Sequence, residues 1–123
     1  MLTTEQIEEA KTRTVYSLKD KRHEHDDCIR MAYEWLDAQV KTKGTTKKTY
    51  PLKHIIEKWA GRYVSTSDVE VAATLHPEII GEYPHFNISA RLTLPAQRRL
   101  SGSGEAGKHG KRPNESTYSI KEN

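Results

Sequence analysis

The chain has 123 residues, 34% of them hydrophobic and 30% charged, which leaves room for one modest core with some residues outside it. Its single cysteine, Cys28, excludes an intramolecular disulfide, and no apolar run approaches the roughly 18 residues of a membrane span. These features predict a soluble, cytoplasmic protein with no membrane partner.

The formal charge of +3 hides strong segregation. Residues 1–40 carry −3, 41–62 carry +6, 63–90 carry −4 and 91–112 carry +5. Alternation of sign along the chain says more about partners than the net value does.

Thr3 and Gln6 form a capping-box pattern opening a first helix, with Ile7 and Ala10 at helical spacing. That helix is weakly apolar, so residues 1–20 are expected to move. In "HEHDDCIRMAYEWLDAQV" the positions Cys28, Ile29, Ala32, Trp35, Leu36 and Gln39 share one face, which predicts a second, strongly amphipathic helix. "GTTKKTY" reads as a basic loop or short edge strand. Pro51 suits the start of a third helix carrying Leu52, Ile55, Ile56, Trp59 and Ala60. Ser67 with Glu70 predicts a capped fourth helix, which Pro77 limits. "GEYPHF" reads as a loop, and "NISARLTL" alternates as the one clear strand. From Ser101 onward the chain is dominated by Gly, Ser and Lys, so residues 101–123 are expected to be a flexible basic and polar tail beyond a single helical domain of residues 1–100.

This order predicts a mainly α protein with a small β element (α+β), a compact helical domain resembling a winged helix-turn-helix over residues 24–94. The motifs are generic, so the resemblance implies an architecture and no activity.

Chemistry-bearing motifs are sparse. "GSGEAGKH" at 102–109 nearly matches a phosphate-binding loop, but it lacks the preceding strand and following helix that such a loop requires. "RHEHDDC" crowds His23, His25 and Cys28, yet helical geometry puts at most two ligands on one face, whereas a structural zinc site needs four. No nucleophile–base pairing stands out in the sequence. The expectation is a non-enzymatic chain with no cofactor and no metal; a small metal-dependent enzyme ranks third among the readings.

Binding is therefore the expected function. The candidate reading helix after Val64 carries Asp68 and Glu70, placed at exposed positions where a DNA reader would present Arg, Lys, Asn or Gln. The leading expectation is a module that binds another protein as inhibitor, adaptor or regulator, through Asp68, Glu70, Glu78, Glu82, Tyr83 and Phe86. Its size and helical style suit a phage or mobile-element accessory protein. The alternative is a winged-helix-like DNA-binding regulator, a homodimer if more contact area is needed, with phosphate contacts from Lys47, Lys48, Lys53, Arg62, Arg98 and Arg99. Lys108, Lys111 and Arg112 of the tail would add to these.

Overall fold

The computed structural model describes residues 2–110 and 112–123 of the chain. Lys111, one of the basic residues of the C-terminal segment, lies outside the described residues.

Helix α1 (Thr4–Arg13) opens with the expected capping box: the Gln6 amide donates to Thr3 Oγ1 at 3.1 Å and the Thr3 amide donates to Gln6 Oε1 at 2.8 Å. Only Ile7 and Ala10 face inward, but both are wholly buried against the rest of the fold. These two small apolar contacts are backed by a polar fastening described below. Helix α2 (Asp26–Asp37) is capped by His25, whose Nδ1 accepts the Asp27 amide at 2.9 Å. It buries Cys28, Ile29, Met31, Ala32, Trp35 and Leu36, the stripe that its spacing predicts.

Helix α3 (Leu52–Ala60) stops at Gly61, whose φ of 66° is the left-handed cap a glycine adopts without strain. Helix α4 (Thr66–Leu75) begins two residues earlier than expected. Its capping box is Ser65 with Asp68, not Ser67 with Glu70, so the latter two fall inside the helix. Residues 67–73 of α4 are all buried, and the helix packs against α2 and α1. A helix enclosed on every side is a core element.

Strands β1 (Gly81–Glu82) and β2 (His85–Phe86) form an antiparallel hairpin where a loop was expected. Gly81 is obligatory there: its φ is 101°, and a Cβ would meet the His85 carbonyl oxygen at 2.5 Å. Residues of the basic loop add a third lane, with the Thr42 amide donating to Asn87 O, the Thr46 amide to Phe86 O, and Lys41 bridging Ile88. Helices α2, α3 and α4 are thus followed by the β1–β2 hairpin, with only an isolated bridge at Lys41 where a short strand was expected between α2 and α3, within a small α+β domain.

"NISARLTL" forms much less strand than its alternation predicts. Only β3 (Thr93–Leu94) pairs regularly, in parallel with β4 (Ile120–Lys121). The C-terminal segment is accordingly no free tail. Ser119 and Ile120 amides donate to Leu92 O, the Gly107 amide donates to Ala60 O at 2.9 Å, and the His109 amide donates to Gly61 O at 2.7 Å. Its composition reads as flexible, but its backbone donors are taken up by open carbonyls at the end of α3 and along β3. The phosphate-loop look-alike at 102–109 is a run of turns folded onto the end of α3.

Candidate functional site

Four of the six residues expected to face a protein partner line one cleft. Its floor and walls come from the second half of α4 (Glu70, Ala73, Thr74) and from the β1–β2 hairpin with its approach (Ile79, Glu82, Tyr83, Phe86). The stretch after α1 supplies Val15 at the rim, and the hollow measures about 290 Å³. Phe86, 2% exposed, is the floor and meets the Tyr83 ring edge-on at 6.2 Å. Tyr83 is held in turn, its hydroxyl accepting the Lys53 amide at 3.0 Å from the first turn of α3. Glu82 is exposed, and Val15 is 81% exposed.

Glu70 lies at the inner edge of this cleft and is buried, which corrects the expectation that it is exposed. One carboxylate oxygen accepts the Ser17 amide at 2.9 Å, while Oε1 has no partner among the described residues. Burial pushes its carboxyl above the ordinary value, and nearby Glu82 adds to the effect. Arg13 borders the cleft but is committed to Glu9 and to the Thr74 carbonyl. The result is a hollow of mixed polar and apolar lining with acidic edges, whose one lining cation among the described residues, Arg13, is already engaged.

Asp68 and Glu78 stand elsewhere. Asp68 was expected on the surface and is wholly buried, because the shifted start of α4 turns it toward residues 22–24. It accepts from His23 Nδ1 at 2.8 Å and from the Glu24 and Ser65 amides at 3.2 Å. His23 Nε2 lies 3.0 Å from the Tyr16 hydroxyl, so Tyr16, His23 and Asp68 form a relay of the kind that activates nucleophiles. Its work is to fasten residues 14–25 over α4.

Glu78 joins Asp37 and His76 in a group whose ligand atoms lie within 4.8 Å of one another, a constellation that sequence spacing did not reveal. His76 is already committed at both nitrogens. Nδ1 accepts the Glu78 amide at 3.1 Å, which places the proton on Nε2, and Nε2 donates to Asp37 Oδ1 at 2.8 Å. Asp37 also takes Arg99 at 3.0 Å. Burial would raise the Asp37 carboxyl, but the bonds from His76 and Arg99 outweigh it and hold it below the ordinary value. A divalent cation would have to compete with that guanidinium, so the group reads as an ion-pair network. The residues of "RHEHDDC" do not converge on a metal either: His25 caps α2, His23 binds Asp68, and Cys28 donates to the Tyr63 carbonyl. Burial pushes the Cys28 thiol up to about 11.

The six expected phosphate contacts are dispersed. Lys47, Lys48 and Arg98 are exposed. Lys53 is paired with Glu57 at 3.0 Å, Arg62 is held by Glu24 and Glu105, and Arg99 is held by Glu34, Asp37 and Glu122. Arg62 and Arg99 are thus committed inside the molecule, a pairing that sequence distance conceals. With residues 67–73 of α4 buried, little of the element that would enter a DNA major groove is left to face it.

Compared with protein-family models, with curated proteins and with solved structures, this chain matches none of them significantly.

Proposed function

We propose that this chain is a non-catalytic module that binds another protein through the cleft between α4 and the β1–β2 hairpin. One observation carries the reading: Glu70, Glu82, Tyr83 and Phe86, separated by up to sixteen positions in sequence, line a single hollow. A largely apolar floor ringed by polar groups is how compact protein interfaces are built. Two acids at its edge, with Arg13 already committed, favour a partner that inserts a basic or apolar side chain beside the exposed Val15.

The test must spare the fold. Phe86→Ala would open a cavity costing about 3–5 kcal/mol and would confuse unfolding with loss of binding. Glu82→Lys and Val15→Asp change only exposed positions. Affinity capture from nuclease-treated lysate should recover a protein with the wild-type chain, lose it with the double variant, and keep it with Lys47→Glu/Lys48→Glu. A partner held equally by all three would overturn the assignment of the cleft.

A further inference from the structure

A second groove, about 490 Å³, runs between α3 and the C-terminal segment, on residues that the protein-binding reading does not use. One wall carries Lys48, Tyr50, His54 and Lys58; the other carries Asn114 and Ser116. No carboxylate lines it. Lys53, Arg62, Arg99, Lys108 and Lys121, by contrast, are each matched to an acid. Lys48 and Lys58 are exposed and form no ion pair among the described residues, and Lys47 beside them is likewise unpaired. The acid behind His54 is Glu57, which is buried and already holds Lys53 and the Val64 amide. Glu115, next along the strap, faces a different cleft and pairs with Lys121.

Two unpaired cations thus share a concave channel with an aromatic ring, over which Lys48 Nζ lies 5.1 Å from the centre of Tyr50. Cations that track phosphates, a ring on which a base can stack, and neutral hydrogen-bonding groups opposite are the components of a site for a flexible strand. Duplex DNA fits less well, because it needs a protruding element for its grooves and α4 is enclosed.

We infer that this groove binds single-stranded nucleic acid without sequence preference, independently of the protein-binding cleft. The experiment is fluorescence anisotropy of short labelled oligothymidylate and oligouridylate with the full chain at low and moderate salt. Lys48→Glu/Lys58→Glu is compared with Lys19→Glu/Lys21→Glu, which makes the same charge change at exposed positions elsewhere. Binding should fall about tenfold or more in the groove variant, and by no more than about twofold in the control. The neutral variant Lys48→Gln/Lys58→Gln should flatten the salt slope by about 1.4, two phosphate contacts at about 0.7 each. Circular dichroism confirms that each variant is folded. Equal losses in both reversal variants, tighter binding of a hairpin duplex, equal competition by polyglutamate, or no binding of either oligonucleotide would each overturn the inference.

Discussion

Trp35 donates its indole N–H to the hydroxyl of Tyr118 at 3.1 Å, across 83 positions of sequence. The bond joins the largest side chain of the core to the C-terminal segment, so that segment is part of the packed structure. Tyr118→Phe should cost about 0.5–1.5 kcal/mol, the value of one such bond. Tyr118→Ala should cost on the order of 3 kcal/mol, because packing is lost as well. Urea unfolding followed by tryptophan fluorescence reads both. A wild-type midpoint for Tyr118→Ala would mean that the segment does not contribute to the fold in solution.

Asp68 is the fixed point of the N-terminal cover, with His23 and two backbone amides as donors. Asp68→Ala leaves those donors without their common acceptor and should cost about 1–3 kcal/mol. Its distinguishing sign is local. Amide hydrogen exchange at residues 17–25 should accelerate well before exchange in α2, and uniform acceleration would show that Asp68 has no special hold on the cover.

Glu122 provides an acid-sensitive bond. Arg99 grips both of its oxygens, at 2.7 and 2.6 Å, and holds its carboxyl down at about 2. A carboxyl lowered by folding stabilises the protein fully above the ordinary value of about 4.3, and that contribution is lost as pH falls toward 2. Wild-type stability should therefore decline more steeply below about pH 4.5 than that of Glu122→Gln. Parallel curves from urea midpoints taken across that range would refute the linkage.

Glu70 has the opposite sign. Its carboxyl is raised by burial, so the ionised form costs stability above the ordinary carboxylate range and the cost disappears in acid. Glu70→Gln keeps an acceptor for the Ser17 amide and should be the more stable protein at neutral pH. The advantage should vanish below about pH 4, as followed by thermal unfolding at both pH values.

Much of the helical architecture is legible in the sequence because it rests on local rules. The Thr3–Gln6 box, the apolar stripe of α2 and the stop at Pro77 all stand where spacing puts them. The errors arise where long-range polar bonds decide. Asp68 and Glu70 read as surface acids because, the Ser65 amide apart, their partners are His23, Glu24 and Ser17, more than forty residues away. The C-terminal segment reads as free for the same reason, since its anchors are backbone carbonyls that carry no side-chain signature. The grouping of Glu82, Tyr83 and Phe86 was legible from their proximity in the chain. The groove around His54 and Lys58 was not, because its second wall arrives from residues 114–118.

The cover over α4 is fastened mainly through its own main chain: the amides of Ser17, Arg22 and Glu24 donate to side chains of Glu70, Ser67 and Asp68. The path of residues 17–24 is therefore written in α4, and Lys19, Asp20, Lys21 and Arg22 direct their own side chains into solvent. Tolerance to substitution should be distributed accordingly. Apart from His23, whose ring binds Asp68, the irregular segment can change its residues while keeping its course, whereas the three polar positions of the regular helix beneath it cannot.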